Sequence, residues 1–117
     1  NAGVVVDEMT IDGDTITATD DFIIDAASDI TLDADGADIN LKDGGTRFGI
    51  LYNSASNFHI EASIQDKDIK FLGNDDGTGI TALTLDMSEA GAATFNDKVT
   101  AAVLQIDNIN INDNFVY

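Results

Sequence analysis

The sequence predicts an all-β chain, a β-helix or β-solenoid-like rod of short repeated strands intertwined as a homotrimer. Three observations predict it. A five-residue template (acid or amide, apolar, any, apolar, polar) occurs eight times in 117 residues. Turn formers such as Asp12-Gly13, Asp35-Gly36, Asp43-Gly44-Gly45 and Asn74-Asp75-Asp76-Gly77 lie between copies and suit tight corners, because they tolerate positive φ or bond their own backbone. β-Branched Ile, Thr and Val dominate, and no helical apolar period persists.

Taken in order, Glu8-Met9-Thr10-Ile11-Asp12 is the first copy. The stretch DFIIDAASDITLDADGADINLKDGG then holds three more, at residues 21–25, 29–33 and 38–42, starting 8 and 9 residues apart. That spacing leaves about four residues for each corner, as in a sandwich, barrel or solenoid. Phe48, Ile50 and Tyr52 alternate as in a strand. Asn57-Phe58-His59-Ile60-Glu61 repeats the template, Asp68-Ile69-Lys70-Phe71-Leu72 and Ala82-Leu83-Thr84-Leu85-Asp86 do so more loosely, and Asn108-Ile109-Asn110-Ile111-Asn112 closes the series. The middle residue is polar in all but one copy, the period-2 mark of a strand with one buried face. Ile30, Leu32, Ile39 and Leu41 therefore point inward, Thr31 and Asn40 outward. The best helical candidate, Ser88-Glu89-Ala90-Gly91-Ala92-Ala93, contains a glycine and reads as a turn.

Strands this short leave long rows of unpaired backbone, and each offers only two inward side chains, so one chain makes a thin core. Three copies sharing an axis supply the missing edges and cover. Residues 1–117 read as one repetitive stalk segment. A start at Asn1 rather than Met suggests a processed product or an excerpt of a longer chain.

Composition bounds the function. Hydrophobic residues make up 44%, too many for a disordered acidic tail. Twenty-two acids face only Lys42, Arg47, Lys67, Lys70 and Lys98, a formal charge of −17. Such a field repels phosphate backbones and anionic membranes, so neither nucleic acid nor a membrane surface is an expected partner. No apolar run approaches the length of a membrane span. Cysteine is absent, which removes disulfides, thiolate metal sites and thiol nucleophiles.

The run DFIIDAASDITLDADGADINLKDGG together with ALTLDMSEAGAATFNDKVTAAVLQIDN resembles the repetitive stalk of tail-fibre and other structural proteins of marine tailed phages, cyanophages included. In those proteins phrases of the first type precede phrases of the second, and the resemblance covers about residues 14 to 100. It implies a homotrimeric β-helical rod on a virion, extracellular, carrying a receptor-binding tip. It also implies partners among other virion or tail proteins and a host surface receptor or glycan. In that family Val99-Thr100 is often followed by a glycine pair and another strand, whereas here AAVLQIDN follows, so residues 101–117 depart from the pattern.

Candidate sites each have a plainer reading. Asp33, Asp35 and Asp38 around Gly36 could offer hard oxygens to Ca²⁺, the one cofactor the sequence admits, but the closing Glu of an EF-hand loop is missing. A solvated corner in which Asp caps its own turn accounts for the same residues. His59, the single histidine, occupies an outward strand position, and no serine elbow, phosphate loop or zinc signature accompanies it. Asp66 and Asp68 resemble a glycosidase pair only as any two of 22 acids do. Gly44-Gly45 with Arg47 could cradle an anion but suits a β-turn better, and Tyr52 reads as a strand residue rather than a sugar platform. No catalytic residue is assigned. The expected role is mechanical, a phage tail-fibre stalk. The alternatives are a calcium-stabilised bacterial surface adhesin or filament subunit and, as a minor one, a fibre-borne polysaccharide depolymerase.

Overall fold

The computed structural model describes residues 9–108, which form eight β-strands and no helix. All pairing is antiparallel and between strands consecutive in sequence. The chain divides into two compact units, residues 1–33 and 34–117.

In the first unit β1 (Met9–Asp12) pairs with β2 (Thr15–Ala18) across a two-residue corner begun by Gly13 at φ 58°. Residues 21–33 follow with no strand pairing. Two template copies that promise strands, 21–25 and 29–33, are thus unpaired in the single chain. Their apolar side chains stay open: Phe22, Ile23, Ile24, Ile30 and Leu32 are each more than half exposed. Ile30 and Leu32, expected inward, are thus not buried by the described residues.

The second unit holds two three-stranded meanders. The first runs β3 (Asp38–Asp43), β4 (Thr46–Ser54), β5 (Asn57–Ala62). The second runs β6 (Ile69–Asp75), β7 (Thr78–Asp86), β8 (Ala92–Phe95). Template copies at 38–42, 57–61, 68–72 and 82–86 lie on β3, β5, β6 and β7. The last copy, 108–112, falls outside the described residues but for Asn108, and residues 101–108 carry no strand.

Register sorts the side chains of each sheet, because directly opposed residues share a face. In the first meander Ile39, Leu51 and Ile60 form one row and Leu41, Gly49 and Ala62 the next, all on one face. Asn40, Ile50 and Glu61, with Asp38, Tyr52 and His59, occupy the other. The alternation expected of Ile39, Asn40 and Leu41 is therefore present. In the second meander Ile69–Leu85–Ala93 and Phe71–Leu83–Phe95 form an apolar face, and Lys70–Thr84–Thr94 the polar one. Each middle strand carries a bulge: Phe48 is the extra residue between the Leu41 and Lys42 pairs, Ala82 between those of Phe71 and Leu72.

Corner chemistry explains the hairpins. Gly44 and Gly45 (φ 53° and 82°) and Asp76 and Gly77 (φ 47° and 87°) are both left-handed pairs, the backbone that two-residue hairpins need to match strand twist. Asn74 Oδ1 accepts the Gly77 N–H at 2.8 Å and fixes the second of these. The β4–β5 corner uses Ala55 and Ser56 at φ 49° and 64° instead. A side chain in this region costs about 1 kcal/mol per residue relative to glycine. Replacing Ala55→Asn with Ser56→Gly should therefore raise stability by about 1 kcal/mol after glycine's extra unfolded-state entropy is counted. A melt of the variant against the parent checks this, and an unchanged or lower Tm would refute the assigned corner.

The β7–β8 connection, residues 87–91, is the turn expected near Ser88. Asp86 builds it: its Oδ1 accepts the Ser88 hydroxyl (2.7 Å), the Ser88 N–H (3.0 Å) and the Glu89 N–H (3.2 Å). The Ser88 hydroxyl above all, with the two backbone donors, holds the Asp86 carboxyl below its usual range. Gly91 N–H donates to the Asp86 carbonyl at 2.7 Å, and Gly91 itself takes φ 82°.

Candidate functional site

The feature that organises both meanders is what they leave open. Among the described residues Ile50 is the one buried hydrophobic, at 5% exposure. It lies on the mixed face of the first meander, beside half-buried Tyr52 and His59. The faces that carry the apolar rows are left open by the described residues. Phe58 is 73% exposed, Ile60 and Phe71 are more than half exposed, and Leu41 and Phe95 nearly so. Ile39, Leu51, Leu83 and Leu85 are half-buried, chiefly by neighbours on their own sheet.

Charge on these faces is confined to their corner ends, where Asp43 follows Ile39 and Leu41 by parity and Asp75 follows Ile69 and Phe71. Lys42, Arg47 and Glu61 stand on the Asn40 side of the first meander, Lys70 on the polar side of the second. The central rows can associate without burying a charge provided the corner ends stay in water, which matters in a chain of −17, because like charges brought into an apolar contact cost several kcal/mol each. At the far end of the first apolar face, Ala37, Ile39, Leu51, Asn53, Ser56 and Phe58 line an open cleft of about 350 Å³.

The residues singled out in the sequence are placed as follows. Asp33 precedes, Asp35 lies in, and Asp38 follows the corner closed by the Ala37 N–H to Ala34 carbonyl bond of 2.7 Å, and all three are exposed. They are not gathered: among the described residues no three acidic or histidine side chains come together as a metal would require. His59 is half-buried rather than outward in water, stacked on its cross-strand neighbour Tyr52 with centroids 4.5 Å apart and planes 10° from parallel. The Tyr52 ring that would have served as a platform is thus partly covered by His59.

Asp68 accepts the Met87 N–H at 3.4 Å through Oδ1 and meets Lys70 Nζ at 3.4 Å through Oδ2. Asp66 sits in an exposed turn at φ 58°. Asp68 is therefore engaged in tying β6 to the loop after β7. Arg47 Nη1 donates to Asn40 Oδ1 at 3.2 Å, so the guanidinium lies along the sheet rather than over Gly44-Gly45.

Sequence reasoning missed the importance of Leu51, which joins the Φ-x-Φ residues of β3 and β5 into one row although no template copy contains it. Its alternation partner Gly49 gives no apolar signal, which hides that face of β4. Among the described residues no helix is long and apolar enough to cross a membrane. No protein-family model, curated protein or solved structure matches this chain.

Proposed function

We propose that the chain is a structural segment of a phage virion, a tail-fibre stalk in which three copies close into a β-helical or solenoid-like rod. The observation that carries the self-assembly is the pair of apolar sheet faces left open among the described residues, with Ile50 as the one buried hydrophobic there. A chain with so little interior gains too little from burial to offset its conformational entropy alone. The assignment to a virion rests on the phrases shared with phage fibre stalks. The role is mechanical: the rod spaces a receptor-binding tip from the particle, and its end contacts are with other virion or tail proteins. No catalytic residue and no cofactor is part of this reading.

Light scattering after gel filtration tests it. The expected species has three times the 12.4 kDa of the chain, and dilution should unfold it rather than release folded monomer. A well-folded monomer at micromolar concentration would remove the proposal.

A further inference from the structure

The two meanders share one corner, built identically and charged oppositely. In the first, Asp43 pairs with Thr46 across Gly44-Gly45, and the next pair outward is Lys42 with Arg47. In the second, Asp75 pairs with Thr78 across Asp76-Gly77, and the next pair is Asn74 with Gly79. The turn dihedrals agree closely, φ 53° and 82° against 47° and 87°. Position by position the corners superpose in register, yet one bears two cations and one acid, the other two acids and no cation.

The basic corner is an anomaly for this chain. Two of its five cations stand directly opposite each other, and like charges at such a cross-strand pair are destabilising. With 22 acids in the sequence, the one ion pair among the described residues is nevertheless Asp68–Lys70. Neither Lys42 nor Arg47 meets a carboxylate. Asn40 holds the Arg47 guanidinium in place, so it is oriented before any partner arrives. The acidic corner is likewise fixed, through Asn74 and Gly77, and all of its side chains are exposed.

We infer that these corners are the two halves of one contact between copies of the chain: Lys42 and Arg47 of one copy engage Asp75 and Asp76 of the next. Such a contact is heterologous, the same patch never meeting itself, and repeated around an axis it closes a ring. It also solves a specificity problem. Apolar rows provide driving force but little choice of alignment, whereas opposed charges at the corners favour one mutual placement and penalise those that set Asp75 and Asp76 against their own counterparts. The inference rests on the self-assembly proposed above and adds the address by which copies find their places.

A charge swap in the full chain tests it, read by sedimentation over a concentration series in 50 mM and 500 mM NaCl. Lys42→Glu with Arg47→Glu should raise the concentration needed for half-assembly by about tenfold or more in low salt and by less in high salt. Asp75→Lys with Asp76→Asn should do the same. All four changes in one chain should return the midpoint to within about threefold of the parent, because the contact is restored with its signs exchanged. Lys42→Gln with Arg47→Gln, which introduces no new charge, gives a smaller loss in the same direction and guards against a misfolded reversal, with circular dichroism confirming strand content. If the parent assembles while either half-swap assembles equally well, or if the four-change chain shows the summed losses, the corner contact is refuted and the stalk reading stands. A parent that stays monomeric overturns both.

Discussion

Ile39→Asp should abolish assembly, while Asn40→Asp, one residue away, should leave it almost unchanged. Ile39 heads the row Ile39–Leu51–Ile60 on the open apolar face, and in the proposed trimer each copy would bring one carboxylate into that contact. Three unpaired charges taken from water cost several kcal/mol each. Asn40 faces the other way, beside Ile50 and Glu61, and receives the Arg47 hydrogen bond through the oxygen that Asp keeps. Its replacement even adds an ion pair at an exposed site, worth well under 1 kcal/mol. Sedimentation of the two variants at matched concentration decides the matter. Assembly that survived Ile39→Asp but not Asn40→Asp would mean that the copies meet through the Ile50 face.

Raising NaCl from 10 mM to 0.5 M should lift the Tm of the assembly by on the order of 10 °C, the size of a change of about 2 kcal/mol in a domain of this length. Three copies each carrying −17 repel one another, and at 0.1 M salt the screening length is already down to about 10 Å. Millimolar Ca²⁺ at constant ionic strength should add little further, because the run Asp33 to Asp38 lacks the closing bidentate Glu of a calcium loop and screening alone accounts for the salt effect. Changing all three to Asn should raise Tm in low salt by removing negative charge, and should leave the response to Ca²⁺ unaltered. A site formed only on assembly would behave otherwise: Ca²⁺ at a hundredfold excess over its Kd would stabilise by about 2.7 kcal/mol, and the triple change would erase that gain. That outcome would favour the calcium-stabilised adhesin over the stalk.

The all-β class was legible because the template reports local alternation, and β3, β5, β6 and β7 each carry a copy. β4 was visible through Phe48, Ile50 and Tyr52, although Phe48 owes its place to a bulge. β2 (Thr-Ile-Thr-Ala) and β8 (Ala-Ala-Thr-Phe) escaped notice, since neither fits the five-residue template: in β2 Thr15 separates Asp14 from Ile16, and β8 opens on two alanines. The template fails in the opposite sense at 21–25 and 29–33. Alternation says that a segment can lie extended with one face inward; it does not say what lies alongside. Pairing depends on a neighbour at the right spacing, and a two-residue left-handed corner supplies one to β3 and β6 but none to residues 21–33. The same limit applies to the open faces. Which residues share a face follows from parity, but the placement of Leu51 between Ile39 and Ile60 depends on register, and register is set at the corner and the bulge.

Among the described residues every strand partner is the next strand along, which has a kinetic consequence. Contacts this local need little loop closure, so each hairpin can form on its own in about 1–10 μs. If copies assemble as proposed, what remains is their encounter, a step whose rate scales with a power of chain concentration. A newly made chain would spend most of its lifetime before assembly largely unfolded, its hairpins forming and opening with their apolar residues exposed, and dilution would lengthen that interval. Yield of assembled rod would then be governed by how fast copies encounter one another relative to how fast stray apolar partners capture them. Synthesis of several copies close together in space would favour the first.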